Sequence, residues 1–201
     1  MFAVRGIVFS HEAVREWEAK LTPALAEGLR RRCRGRAGRS WHVDETYIKV
    51  DGRWCYVYRA IDSTGALVDV LFSERRDMKA ARAFFRSTKT VTGLTPDRVT
   101  TDGHDSYPRA IRTELGRGVR HRTSRYLNNR LEQDHRGLKG RYRPMRGFQC
   151  PRSAARFCRG HDELRNFLRL RAHRNQHVPA ARRRLLLFRR TATVLAILEA
   201  A

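Results

Sequence analysis

Three runs rich in β-branched and aromatic residues follow one another between residues 41 and 74 and leave few choices of fold. The runs are WHVDETYIKV (41–50), RWCYVYRAID (53–62) and LVDVLFSE (67–74), separated by the turn sequences DG (51–52) and STG (63–65). Turns this short join neighbouring antiparallel strands. The sequence therefore predicts a three-stranded antiparallel meander.

Beyond the meander, helical and extended patterns alternate along the chain. We predict helices at 77–91, 105–115, 127–141, 153–173 and 180–199, and strands at 97–102 and 119–124. A meander followed by alternating helices and strands is typical of a mixed sheet with helices packed over it. The predicted fold class is therefore α/β, with a mixed sheet flanked by helices.

The amino-terminal segment has a different composition. SHEAVREWEAKL, beginning at Ser10, predicts one short amphipathic helix with a serine cap. RRRCRGRAGR (30–39) has almost no apolar residues and predicts a mobile linker or a segment that lies on DNA. These patterns suggest four parts: 1–29, a linker at 30–40, a main domain at 41–173 and a basic helical tail at 174–201.

The charge of the chain limits its partners. There are 43 Lys and Arg against 20 Asp and Glu, for a formal net charge of +23, and 41% of residues are hydrophobic. Such a positive field requires a polyanionic partner, most commonly nucleic acid, and the apolar content is sufficient for a real core. The four cysteines form no CxxC pair, which favours reduced thiols in a cytoplasmic, nucleoid-associated protein.

Three acids in this basic chain fall where the predicted order would let them meet. Asp44 lies inside the first strand of the meander, Asp102 ends the fourth strand, and Glu132 lies early in the helix at 127–141. If the first and fourth strands are neighbours, both aspartates reach one sheet edge, and the helix can add Glu132. Oxygen ligands of this kind bind Mg²⁺, and two ions about 4 Å apart can hold the attacking and leaving oxygens of a phosphodiester.

Geometry weighs against two competing acids. Glu45 adjoins Asp44, and neighbouring side chains of a strand face opposite sides of the sheet. Asp134 lies about 200° around the helix from Glu132, on the side of the apolar Leu131. Each acid of the proposed cluster, taken singly, could instead be an ordinary surface acid paired with arginine.

Other side chains remain open between two roles. Trp54, Tyr56 and Tyr58 alternate along the second strand and are predicted to be core residues, with nucleotide stacking as the alternative. His104 and His135 could contact phosphate or support a metal ligand, or make ordinary polar contacts.

Three segments of the chain resemble the catalytic blocks of bacterial insertion-sequence transposases of the DDE type, in the insertion-sequence-six family. These segments are WHVDETYIKVDGRWCYVYRAID, TTDGHDSY and YLNNRLEQDHRGLKGRYRPMRGF, and the last is the most specific. The resemblance implies a ribonuclease H-like fold, with Asp44, Asp102 and Glu132 as catalytic triad and metal ligands, and Lys139 as the basic residue that follows the glutamate.

The implied chemistry is metal-dependent cleavage and strand transfer of DNA with two Mg²⁺ ions, or Mn²⁺ in their place. Insertion-sequence ends and target DNA are the expected substrates, bound by a homodimer or larger assembly without membrane involvement. We expect Lys139 to contact DNA phosphates. We expect the same of four arginines of the third block: Arg136, Arg141, Arg143 and Arg146.

Two departures from the family pattern bear on activity. The interval 103–131 between Asp102 and Glu132 is shorter than the family's, and the chain begins at what matches the second helix of a helix-turn-helix. Residues 1–29 would then be a partial helix-turn-helix remnant. The alternative function is an inactive, truncated relic that only binds DNA or interferes with full-length transposase, and a structural RNA-binding protein is a more distant possibility.

Overall fold

The computed structural model describes residues 2–4, 6–33, 35, 37–124, 129–145, 147–169 and 179–201. In chain order the elements are β1 (Phe2–Val4), β2 (Ile7–Phe9), α1 (His11–Cys33), β3 (Ser40–Val50), β4 (Arg53–Asp62), β5 (Leu67–Ser73), α2 (Met78–Thr92), β6 (Arg98–Thr101), α3 (Ser106–Glu114), β7 (Arg120–Thr123), α4 (Asn129–Tyr142), a 3₁₀ turn (Arg143–Met145), α5 (Pro151–Leu168) and α6 (Ala180–Glu199).

The five strands from β3 to β7 form one mixed sheet in the order β5-β4-β3-β6-β7. The pairs β3–β4 and β4–β5 are antiparallel, whereas β3–β6 and β6–β7 are parallel. The predicted meander, the mixed sheet and the adjacency of its first and fourth strands are thereby confirmed. The two short strands β1 and β2 form a separate hairpin.

The turn between β3 and β4 fixes the register of the hairpin. Asp51 and Gly52 both have positive φ, at 48° and 72°, as a two-residue type I′ turn requires. Val50 therefore pairs with Arg53, and the register continues without a break to Trp41 and Asp62. Even-numbered residues of β3 consequently share one face of the sheet and odd-numbered residues the other.

Helices cover both faces of the sheet. Trp41 and Val43 pack with Phe84 and Phe85 of α2 on one face, together with side chains of α3. Ile48 and Val50 share the other face with Leu138 of α4 and with Ala154 and Cys158 of α5. The sheet thus lies between α2 and α3 on one side and α4 and α5 on the other.

Helix α1 is longer than the sequence predicted. It has 23 residues and passes through Pro23, although an internal proline removes a helical hydrogen bond. Tertiary contacts offset this loss, because Leu29 is fully buried and Arg30 forms ion pairs with Asp69 and Glu163. Helix α1 therefore extends into the segment 30–40 that the sequence predicted as a linker, and Arg34 and Arg36 lie outside the described residues.

The prediction that Trp54 belongs to the core is also wrong. Tyr58 is buried, but Trp54 at the turn end of β4 is 53% exposed. The core cluster that contains α2 and α3 includes Tyr56 and Tyr58 but not Trp54. In the part of the chain that the structure describes, no helix combines the length and hydrophobicity needed to cross a bilayer.

Candidate active site

Asp44 lies on a stretch of β3 where, among the described residues, no strand pairs with one of its edges. Its face is the one that Ile48 shares with α4 and α5, and its Oδ1 accepts the backbone N–H of Glu45 at 2.9 Å. The β6 strand pairs with only three residues of β3, from Ser40 to His42. From Val43 to Ile48 no strand of the described residues pairs with this edge of β3, and a bridge to Phe148 closes it at Val50. The unpaired stretch leaves room for a ligand and for α4.

Asp102 continues the line of β6 toward Asp44. The register pairs His42 with Thr100, so a shift of two residues along both parallel strands brings Asp102 beside Asp44. The backbone N–H of His104 donates to Asp102 Oδ1 at 3.2 Å. Between them Gly103 has φ +98°, and a Cβ there would lie 2.6 Å from Thr123 Cγ2, so only glycine fits this turn.

Glu132 reaches the site from α4, which lies along the open edge of β3. The Tyr142 hydroxyl accepts the backbone N–H of Lys49 at 2.8 Å and donates to the Lys49 carbonyl at 3.1 Å. These bonds satisfy backbone groups that would otherwise be unpaired at a strand edge. These bonds hold α4 against β3. Glu132 is exposed near the start of the helix, whereas Leu138 is buried.

Asp134 holds α4 from the opposite side. The Asp134 carboxylate is 3.0 Å from Arg165 Nη2 and 3.2 Å from Arg169 Nη1, and Arg165 also donates to the Asp134 carbonyl. Asp134 is buried, as are Leu131 and Leu138, which confirms the predicted face. Asp134 therefore links α4 to α5 and does not point toward Asp44.

The three predicted acids line a single cavity of about 330 Å³. Ligand atoms of Asp44, Glu45 and Asp102 lie within 4.8 Å of one another, and so do those of Asp44, Glu132 and His135. Asp44 belongs to both groups and stands between the other two predicted acids. The structure thus brings Asp44, Asp102 and Glu132 together, as the strand and helix order indicated.

Crowding of negative charge perturbs Asp44. Burial, followed by the neighbouring charges of Glu45, Asp102 and Glu132, raises the pKa of Asp44 from 3.8 to about 7. Burial disfavours the ionised form and the nearby carboxylates repel it. A cation bound among these oxygens would remove both penalties.

Arg76 and Glu45 belong to the site, although the sequence pattern predicted neither of them there. Arg76, between β5 and α2, forms an ion pair with Glu45 and lies 3.8 Å from Asp102 Oδ2. Glu45 also accepts a hydrogen bond from the hydroxyl of the buried Tyr107. Because both carboxylate oxygens of Glu45 already have partners, Glu45 holds Arg76 in place more readily than it binds a metal. A single arginine in a chain rich in arginine gives no local sequence signal.

The two histidines differ. His104 Nδ1 lies 2.8 Å from Ser106 Oγ, an ordinary polar contact. His135 is 3% exposed, and its Nε2 has no hydrogen-bond partner in the described part of the chain. Burial, together with Arg59 and Lys139, lowers the pKa of His135 to about 3, so its imidazole is neutral at pH 7 and able to bind a metal.

The predicted DNA-binding residues lie along α4 and just beyond it. Arg136, Arg141 and Arg143 are exposed, and Lys139 Nζ lies 4.4 Å from the ring centre of Tyr47. These cations follow the helix that carries Glu132. Arg146 lies outside the described residues.

Comparison with known proteins assigns this arrangement to a family. A family model described as a DDE domain matches residues 38–171. The transposase for insertion sequence-like element IS431mec of Staphylococcus aureus strain Mu50 is 36% identical over 141 residues, covering 68% of this chain and 62% of that protein. The S. aureus transposase for insertion sequence element IS257 in transposon Tn4003 gives the same figures. The chain thus spans about 62% of the length of these relatives.

The fold has solved counterparts. A chain of the simian T-cell lymphotropic virus intasome, solved by cryo-electron microscopy in complex with PP2A regulatory subunit B56 gamma, superposes with a TM-score of 0.50 at 15% identity, covering 73% of this chain and 57% of that one. The likeness supports the ribonuclease H-like fold. The sequence match and the sheet that carries the acids agree: the chain belongs to the DDE-domain transposases of bacterial insertion sequences, in the insertion-sequence-six family.

Proposed function

We propose that the chain cleaves and joins DNA strands at insertion-sequence ends, with Asp44, Asp102 and Glu132 as metal ligands. One observation carries the proposal. Carboxylates from three separate elements surround one cavity, with Asp44 shared by two groups of potential ligands, in a chain with a formal charge of +23. The catalytic unit would be residues 41–173, preceded by the segments 1–29 and 30–40 and followed by the basic tail 174–201.

The donor atoms suit a divalent cation. Carboxylate oxygens are the ligands that Mg²⁺ prefers, and an added imidazole is compatible with a softer ion such as Mn²⁺. Burial and the charges of Glu45, Asp102 and Glu132 raise the pKa of Asp44 to about 7, and a bound cation would favour its ionised form. Two grouped sets of ligands that share Asp44 are the arrangement expected for two neighbouring ions.

Bound divalent ions would polarise water or a DNA 3′-hydroxyl and stabilise the charge that develops on the phosphodiester oxygens. The acids would hold these ions and orient them, without attacking DNA themselves. In the first step the oxygen of water bonds to phosphorus and the P–O3′ bond breaks. In the second step the freed 3′-hydroxyl bonds to a target phosphorus and displaces the 3′-oxygen of the target strand.

Basic residues around the cavity would hold the DNA. Lys139, Arg136, Arg141 and Arg143 project from or just beyond α4 and are available to backbone phosphates, and we assign Arg146 to the same group. Arg76 lies at the other side of the cavity, where it offsets the charge of Asp102. A guanidinium group can bind two phosphate oxygens at once through its paired N–H donors. We further propose that the chain acts as a homodimer or larger assembly on paired ends and that it associates with the nucleoid.

The experiment is strand joining by the purified chain on DNA carrying the element ends, with Mg²⁺, Mn²⁺ or EDTA. We expect joined products with either metal and none with EDTA. Asp102→Asn should lose joining while keeping DNA binding. Asp105→Asn is the matched control, because Asp105 is an exposed acid three residues away whose side chain makes no cap hydrogen bond.

The alternative function is DNA binding without chemistry. The chain spans only part of its relatives, so the assay must also be run on a version extended to their full length. If both lengths bind element-end DNA and neither joins strands in either metal, the enzymatic proposal is refuted and the alternative stands.

A further inference from the structure

Two exposed aromatic rings lie in contact with each other, and one of them, Tyr47, lines the cavity. Tyr47 and Trp54 are each 53% exposed, and their ring centres lie 5.0 Å apart at an interplanar angle of 89°. The register pairs Tyr47 with Tyr56 and Lys49 with Trp54, so the two rings are diagonal neighbours across the hairpin. A pair of large exposed aromatics in contact indicates a binding surface more than a packing requirement.

The ammonium group of a lysine lies over each ring. Lys139 Nζ lies 4.4 Å from the Tyr47 ring centre, and Lys49 Nζ lies 5.0 Å from the Trp54 ring centre. An ammonium group over an exposed ring is held only weakly and can leave it for a phosphate. Two π faces and two cations in one small patch match the two parts of a nucleotide, its base and its phosphate.

The patch adjoins the candidate active site. Tyr47 lines the same cavity as Asp44, Asp102 and Glu132. It is three residues from Asp44 along β3, or about 10 Å at the rise of a strand. The alternation of β3 places Tyr47 on the opposite face from Asp44, but both side chains reach the cavity at the edge of the strand. A DNA strand whose phosphodiester lies at the acids would reach the rings around this edge.

We propose that an unpaired base of the DNA strand held in the active site stacks on Trp54, with the perpendicular ring of Tyr47 at its edge; together the two rings form a shelf for the base. The inference rests on the proposed function for the identity of the nucleic acid. Both faces of a base inside a duplex are covered by its neighbours, so the shelf accepts only a base that has left the stack. The Asp51–Gly52 turn fixes the hairpin before DNA arrives, so little ordering is needed on binding.

The fluorescence of Trp54 provides a direct test in the whole protein. Trp41 is fully buried and Trp17 is partly exposed, so Trp17→Phe leaves Trp54 as the exposed reporter. In EDTA, titration with a thymidine oligonucleotide should quench the fluorescence, whereas a blunt duplex should leave it nearly unchanged. The same oligonucleotide with abasic sites should also fail to quench.

Binding affinities of ring variants give the second readout. Trp54→Leu should weaken binding of the single strand about tenfold, as expected for the loss of one base–aromatic stack, and leave duplex binding unchanged. Trp54→Phe keeps a ring and should restore most of the loss. Phe188→Leu is the control, because Phe188 is an exposed aromatic of α6 outside the cavity.

Three results would overturn the shelf. The first is equal quenching by normal and abasic strands, and the second is equal weakening of single-strand and duplex binding by Trp54→Leu. The third is Trp54 fluorescence that changes with protein concentration in the absence of DNA, which would make the patch a contact between copies of the chain. Because EDTA prevents joining, these readouts can fail or succeed independently of the strand-joining assay.

Discussion

Asp44→Asn should make the metal-free protein more stable at pH 8 while it abolishes strand joining. Asparagine keeps the Oδ1 that accepts the Glu45 backbone N–H at 2.9 Å and removes the charge that three neighbouring carboxylates oppose. Binding sites commonly trade stability for function in this way. The substitution therefore separates the electrostatic cost of the site from its packing.

The magnitude follows from the pKa of Asp44. A carboxyl group whose pKa rises from 3.8 to about 7 costs the folded state up to about 4 kcal/mol once it is ionised. Asp44 keeps part of its surface in water, which screens these interactions, so we expect about 2 kcal/mol. The folded form holds its proton to higher pH than the unfolded form, so the cost is absent below about pH 4, grows between pH 4 and 7, and is constant above pH 7.

The assay is urea denaturation of both proteins in EDTA from pH 4 to pH 8, repeated at pH 8 with Mg²⁺. Mg²⁺ should stabilise the wild-type protein and leave the variant unchanged. Glu163→Gln is the control, since burial raises the pKa of Glu163 to about 7 as well, and its effect should depend on pH but not on Mg²⁺. A variant that is no more stable than wild type at pH 8, or equally stabilised at pH 4 and pH 8, would mean that the charge of Asp44 does not destabilise the folded protein.

Three further predictions address the supports of the site and the thiols. Asp134→Asn removes the charge that links α4 to Arg165 of α5 and to Arg169 just after it; we expect a loss of about 1–3 kcal/mol in urea denaturation and a higher Mg²⁺ requirement for joining. Gly103→Ala should cost about 1–3 kcal/mol in the same assay, and adding Thr123→Ala should recover only part, because it relieves the contact but not the positive φ. In a Cys33→Ser background, a thiol reagent followed by mass spectrometry should modify Cys150 first, because backbone N–H groups and nearby arginines lower its pKa, and should spare Cys158, whose pKa burial raises.

Each of these outcomes can be contradicted. Unchanged stability and Mg²⁺ requirement in Asp134→Asn would mean that Asp134 does not position α4. Full recovery in the Gly103 and Thr123 double variant would show that space, and not backbone conformation, decides residue 103. Modification of Cys158 at the rate of Cys150 would contradict its burial.

Local patterns predicted much of the architecture because local chemistry decides it. The Asp51–Gly52 turn demands positive φ at both residues, and Asp77 caps α2 by accepting the N–H of Ala80. With the strands placed in this way, the convergence of Asp44 and Asp102 required only that the first and fourth strands pair. Periodicity along α4 separated Glu132 from Asp134.

What could not be predicted depends on contacts distant in sequence. Helix α1 extends past Arg30, whose guanidinium forms an ion pair with Asp69, far along the chain. The run of arginines itself gives no sign of that partner. Trp54 alternates correctly for the core, but its exposure depends on where α2 and α3 end over the sheet. Arg76 enters the site through Glu45, a residue that the alternation of β3 had placed on the other face.

Crystals of the protein soaked in Mn²⁺ and measured at the manganese absorption edge would show where the protein binds metal. We expect two anomalous peaks in the cavity, both in contact with the Asp44 carboxylate, one shared with Asp102 and the other with Glu132. Asp44→Asn crystals should lose both. Mn²⁺ bound elsewhere on the protein, with no peak at Asp44 at saturating concentration, would rule out these acids as metal ligands.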